Sequence, residues 1–235
     1  MSGIKISELP LLENPANEDI LVFVHNNGVE DVTMQGTVGS VLDMLKPFTI
    51  NSFTITPSNS VIGTTINSVM LSWSFSKAVS GITISGVTNP ILPTDTSLVV
   101  AGPFTSGVSF TISAISKSGE TASRSVGLSF SNYRYFGVSP LQVLTDVDVL
   151  QMNKELASNN AKDITYDCTG GNYFVYAFPN AFGNLTANTK VNNFPWNDWV
   201  LQEIDITNGA GYTETYLVYR SFNLLNSASI PVSWR

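Results

Sequence analysis

Val108-Ser109-Phe110-Thr111-Ile112-Ser113-Ala114-Ile115 alternates apolar and small polar residues along nearly its whole length. A period of two is the mark of a half-buried strand, because successive side chains point to opposite faces. The run turns at Lys117-Ser118-Gly119-Glu120, and Ala122 to Phe130 returns. Working outward, Phe48 to Ile55 alternates in the same way and stops before Pro57. Val69 to Phe75 does so again. Ile82-Thr83-Ile84 lies between Gly81 and Gly86, and Leu98-Val99-Val100 precedes Gly102-Pro103. About seven short strands with turn signals every eight to twelve residues predict a β-sandwich over residues 48–138. Trp73, in mid-strand, is the large filler such a core needs. The chain holds one cysteine, Cys168, so no disulfide joins the sheets.

The flanking segments differ in charge. Residues 1–47 carry two basic and seven acidic side chains, residues 48–138 four and two, and residues 139–235 five and nine. The near-neutral middle stretch sets domain boundaries near Pro47 and Gly137. The last segment, 139–235, opens with a helix expected to run to about Leu156. Thr145 caps it, and Asp148 completes a capping box. Strands follow at Ile164–Tyr166, Asn172–Phe178, Trp199–Ile206, Tyr212–Ser221 and Ser229–Trp234, giving a second β-sandwich with a lead-in helix. The first segment, 1–47, reads as a small α+β unit. It has strands at Ile4–Pro10, Ile20–His25 and Val29–Met34, then a helix over 37–45 with an apolar stripe of Val38, Val41, Leu42 and Leu45. So short a segment buries too little to stand alone. Ile4, Ile6, Leu9 and the four stripe residues are therefore the candidate oligomer or anchor contacts. The fold class is mainly β: this anchor and two sandwiches.

Charged residues make up only 12% of the chain, half the usual share, and Ser, Thr and Asn take their place. The net charge of −7 argues against nucleic-acid binding, which needs a basic face. No apolar stretch approaches membrane-spanning length, and no signal peptide is visible. Chemistry is sparse. His25 is the single histidine, no G-x-S-x-G is present, and one histidine with one cysteine cannot build the usual zinc site. Asp146 and Asp148 suit a helix start better than a calcium loop. Glu203 and Asp205 read as a solvated strand face rather than a glycosidase pair. Gly36-Thr37-Val38-Gly39 is a turn, and Asn184-Leu185-Thr186 has the form of a sequon. No enzyme and no cofactor are expected. The remaining candidate is Phe194-Pro195-Trp196-Asn197-Asp198-Trp199. There Phe194, Trp196, Asn197 and Trp199 could stack on a glycan or fill a partner's pocket, or simply plug the end of the sandwich.

Ile4 to Pro10, then Asp19 to Val24 and the capped 38–45 helix, resemble the attachment segment of tailed-bacteriophage fibre proteins. Leu71 to Lys77 with Tyr133 to Val138 are similar to immunoglobulin-like modules of phage fibres and neck whiskers. Asn172 to Pro179, Phe182-Gly183, Asp205 to Tyr212 and Tyr216 to Arg220 look like the terminal β domain that follows them. The resemblance implies a homotrimer bound through residues 1–47 to the capsid or other virion proteins. It places the chain on the virion surface after assembly in the bacterial cytoplasm, with the β domains projecting outward. It implies no catalytic residue. A head fibre is one form; a tail or neck adhesin reading a host-surface glycan or receptor through its last domain is the other.

Overall fold

The computed structural model describes the backbone of residues 20–26 and 31–37 and the whole of residues 46–235. Strands β1 (Ile20–Asn26) and β2 (Asp31–Thr37) pair as an antiparallel hairpin, Ile20 opposite Thr37 and Asn26 opposite Asp31. The strand expected over 4–10 and residues 38–45 of the expected helix lie outside the described residues. So do the side chains of Ile4, Ile6, Leu9, Val38, Val41, Leu42 and Leu45. Thr37, where that helix was expected to start, is the last residue of β2.

The chain is mainly β, built of several antiparallel sheets. The alternating run at 108–115 forms most of β8 (Val108–Ser116). Phe110, Ile112 and Ala114 are buried, while Ser109, Ser113 and Ile115 face solvent. Strand β8 sits between β6 (Val79–Ile84) and the first half of β9 (Thr121–Ser139). A second sheet, in the order β3 (Ile50–Thr56), β5 (Ile66–Phe75), β7 (Ser97–Phe104), supplies the other wall of the core. Phe53, Leu71 and Trp73 from this sheet share one cluster with Ile82, Phe110, Ile112 and Leu128 from the other. Trp73 fills the centre, and its indole N–H donates to the Asp95 carbonyl at 2.8 Å, so its polar edge is not stranded. Outward-facing hydroxyls pair across strands, Ser52 with Ser74 at 2.7 Å and Thr111 with Ser125 at 2.8 Å. The short β4 (Asn59–Val61) adds in parallel to β9, opposite Ser129–Ser131.

Strand β9 runs for 19 residues and crosses the compositional boundary at 138 without a break. Its first half pairs with β8, from Thr121 to Leu128. Its second half pairs with β10 (Asn153–Ala157) on one side, and on the other, from Tyr135 to Ser139, with β12 (Tyr173–Pro179). Side chains up to Phe130 join the first core, and those from Tyr133 onward join the second.

The second unit extends this sheet from β12 through β16 (Thr213–Ser221) to β15 (Trp199–Thr207). A small sheet covers one face, in the order β11 (Lys162–Tyr166), β17 (Ile230–Trp234), β13 (Lys190–Val191), β14 (Phe194–Pro195). Every residue of β12 is buried. Phe174, Tyr176 and Phe178 enter an aromatic core around Trp234, while Val175 and Ala177 pack on the opposite face with Leu144 and Val149. Trp234 is wholly buried, stacks on Tyr176 at 4.9 Å, and donates its indole N–H to the Tyr166 hydroxyl at 3.0 Å. Burial pushes the Tyr176 phenol up to about 12, so it stays a neutral donor, bonded to the Asn160 carbonyl at 2.8 Å.

The lead-in helix is shorter than expected. Helix α1 spans Asp146–Leu150 and begins with the capping box: the Asp148 carboxylate accepts from both the Thr145 N–H and its hydroxyl. The stretch read as the rest of the helix is instead strand β10. Tertiary pairing overrides helix propensity here. Leu156 and Ala157 take register positions opposite Tyr133 and Asn132 of β9. Glu155 forms ion pairs with Arg134 and with Lys162, the latter at 2.7 Å. Burial alone would raise the Glu155 carboxyl, but bonds from Lys162 and Arg134 outweigh it and leave it below the ordinary value of 4.5.

Two expectations follow. Trp234→Ala should lower the unfolding free energy by about 3–5 kcal/mol in urea titration, as large-to-small changes in dense cores do. As pH falls through the Glu155 titration, the unfolded chain takes up the proton first, so stability held above about pH 4.5 is lost on acidification. Glu155→Gln should therefore flatten the acid limb of a melting-temperature profile relative to the wild type.

Candidate functional site

The stretch singled out for ligand contact begins in a two-residue hairpin. Strands β13 and β14 pair as Lys190 with Pro195 and Val191 with Phe194, and Asn192 and Asn193 make the turn with φ of 51° and 67°. Both angles are left-handed, which a tight hairpin demands and which asparagine tolerates better than any other residue bearing a Cβ. The turn carries exposed amides at 192 and 193 next to Phe194, which is 72% exposed.

The two tryptophans behave differently from Phe194. Trp196 and Trp199 are half-buried and pack against the aromatic core. Trp199 lies 5.8 Å from Trp234 and meets Tyr219 edge-on at 6.4 Å. The Trp196 N–H donates to the Thr189 carbonyl at 3.0 Å, and its indole N–H donates to the Asp198 carbonyl at 3.2 Å. That same carbonyl accepts from the N–H of Phe222, a second exposed ring. The four residues named from the sequence therefore divide. Trp196 and Trp199 close the end of the core, whereas Phe194 and Asn197 face solvent. Asn192, Asn193 and Phe222 belong to the same end of the unit. The Asn192-Asn193 pair between Val191 and Phe194 was a readable hairpin signal; Phe222 had none, because only the pairing of β15 with β16 brings it beside Asp198. An exposed ring of this kind can stack on a flat apolar face, and exposed amides can bond hydroxyls.

A groove of about 550 Å³ lies elsewhere in the same unit, lined by Gly137 to Leu141, Asp148 and Gln151 to Asn153. It arises because β10 begins opposite Phe136, so its pairing with β9 stops there, while β12 pairs with β9 on to Ser139. Val138, Leu141, Val143 and Val147 are exposed around this part of the chain. The Asp148 carboxyl is held low, chiefly by the Thr145 hydroxyl, and so is committed to the helix cap.

The remaining candidates have ordinary surroundings. Glu203 and Asp205 lie on the exposed side of β15, and Asp205 accepts from the Thr215 hydroxyl at 2.6 Å. His25 sits in β1 opposite Val32. Cys168 is buried, and burial, then the neighbouring Asp167, push its thiol up. The Asn184 side chain accepts from the Tyr219 hydroxyl at 3.2 Å. Among the described residues, no group of three or more His, Cys, Asp and Glu side chains could hold a metal ion, and no helix is long and apolar enough to cross a membrane. The chain matches no protein-family model, and no curated protein is significantly similar to it.

The split within the aromatic stretch has a measurable consequence. Phe194→Ala should change the unfolding free energy by less than about 0.5 kcal/mol, as exposed substitutions do. Trp199→Ala should cost about 2–4 kcal/mol, because it opens a gap beside Trp234 and Tyr219. Paired denaturant titrations of the two variants give both numbers.

Proposed function

We propose that this chain is a non-enzymatic structural protein of a tailed-bacteriophage virion. In this reading it is a short homotrimeric fibre, held to the capsid by residues 1–47, with an immunoglobulin-like module and a terminal β domain projecting outward. The observation that carries the proposal is the unbroken strand β9, which builds both projecting units on one backbone. An elongated pair of units on one backbone suits a part that must stand away from a particle. The charge-poor surface, laced by Ser and Thr pairs, suits an exposed virion protein that must avoid indiscriminate ionic contacts. Residues 1–47 hold seven acidic side chains against two basic ones, and the apolar Val38, Val41, Leu42 and Leu45, so attachment and trimerisation are assigned to them.

Light scattering of the purified full-length chain tests this reading. The expected mass is three times that of the 25.4 kDa chain. Val38→Asp combined with Leu42→Asp should reduce it to one copy with the β units still folded. A monomeric wild-type chain would overturn the trimer.

A second reading, a tail or neck adhesin, draws on one observation: Phe194 stands largely free beside three exposed asparagines, Asn192, Asn193 and Asn197. The stability-neutral Phe194→Ala, with Asn197→Ala, separates the two. Loss of host-cell binding by a folded double variant favours the adhesin; unchanged binding leaves the fibre as scaffold alone.

A further inference from the structure

We infer that the segment 57–64 is a brace that locks the two β units at one angle, and that the side-chain amide of Asn208 is its latch. A single shared strand holds two bodies together but leaves them able to bend and twist about it. A second attachment away from that strand removes the freedom. The structure supplies one. Strand β4 leaves the β3 edge of the first unit and lies along β9 at Ser129–Ser131, and Ile62 continues the pairing by donating to the Ser131 carbonyl at 3.1 Å. The Ile62 carbonyl then accepts from Asn208 Nδ2 at 2.8 Å, a bond between residues 146 positions apart. Asn208 belongs to the tip of the β15–β16 hairpin, in the second unit.

Both ends of this bond are stiff. At the hairpin tip, Asn208 Oδ1 accepts from the N–H groups of Ala210 and Tyr212, at 2.9 and 3.1 Å, and the Asn208 N–H donates to the Tyr212 carbonyl at 2.9 Å. The oxygen is thus occupied within the turn, and the amide NH₂ is left aimed at the first unit. On the brace, Thr64 donates to the Val61 carbonyl through both its N–H and its hydroxyl, at 3.1 and 2.6 Å. Gly63 has a φ of +88°, and a Cβ there would lie 2.7 Å from the Tyr212 Cβ. The two backbones approach closely enough that only glycine fits. The latch is therefore a polar bond seated in a tight steric contact, and it goes beyond the fibre reading: it concerns the internal stiffness of the body, whatever the body is attached to.

Asn208→Asp isolates the latch. The carboxylate keeps an oxygen for the Ala210 and Tyr212 N–H groups, so the turn survives, but it offers no donor to Ile62 and sets a charge against its carbonyl. Gly63→Ala attacks the same contact from the other side: it leaves the hairpin's own residues unchanged and sets a methyl against Tyr212. In the full-length protein, calorimetry of the wild type should show the two β units melting together. Asn208→Asp should separate them into two transitions, the first about 4–8 °C lower, the shift expected of a domain this size losing one such contact. Small-angle scattering should show a larger radius of gyration with unchanged far-ultraviolet dichroism, and Gly63→Ala should reproduce the pattern. The inference is overturned if the wild type already melts in separate steps. It is equally overturned if either variant, folded by dichroism, melts and scatters as the wild type does. A variant lacking native dichroism counts against the latch too, because the contact would then belong to the folding of one unit and not to the joint between two.

Discussion

A β-strand leaves a row of backbone donors and acceptors on each edge, and buried ones must be paired. Strand β9, more than three times the usual strand length, meets that demand in turns. β8 flanks its first half, β4 takes a short stretch in the middle, and β10 and β12 flank its second half. The two hydrophobic cores are consequently not beads on a linker. They sit on one continuous sheet whose side chains change allegiance between Phe130 and Tyr133. The brace at Ile62 and the ion pairs of Arg134 with Glu155 lie around this point of change.

The two cores are built differently. The first is a two-sheet sandwich of alternating strands, its outer faces mostly polar with Met70, Val99 and Ile115 among the exceptions. The second needs both faces of its sheet covered, and β12 records this in a stretch with no exposed residue. One face meets an aromatic cluster centred on Trp234, and the other meets the short helix and its lead-in. Thr186 and Thr189 bond the Arg235 carbonyl, tying the strand that carries Trp234 into the loop ahead of β13. The same packing explains why the tryptophans near 196–199 serve the core while Phe194 does not: the hairpin turn at Asn192 and Asn193 directs Phe194 away from it.

Much of this was legible in advance. Alternation identified the strands at 48–55, 69–75 and 108–115, those at 122–130 and 199–206 were read as well, Trp73 was placed in the core, and Thr145 with Asp148 marked the helix start. The helix end was not legible. Asn153 to Ala157 has no strong period, and its strand state comes from pairing with a distant partner. Strand β4 escaped notice for the same reason. The candidate site was legible as an aromatic cluster but not as a division of labour, since exposure of Phe194 and burial of Trp199 depend on which element each packs against.

By itself the sequence determined the class: short alternating runs broken by Gly, Pro and Asn yield antiparallel sheets, because backbone period and turn chemistry are local properties. Only the tertiary structure decided that two of those sheets are one, that β9 carries side chains of both cores, and that Asn208 reaches Ile62. Those are matters of which edge pairs with which, and edge pairing is settled by long-range burial and hydrogen-bond satisfaction rather than by neighbouring residues.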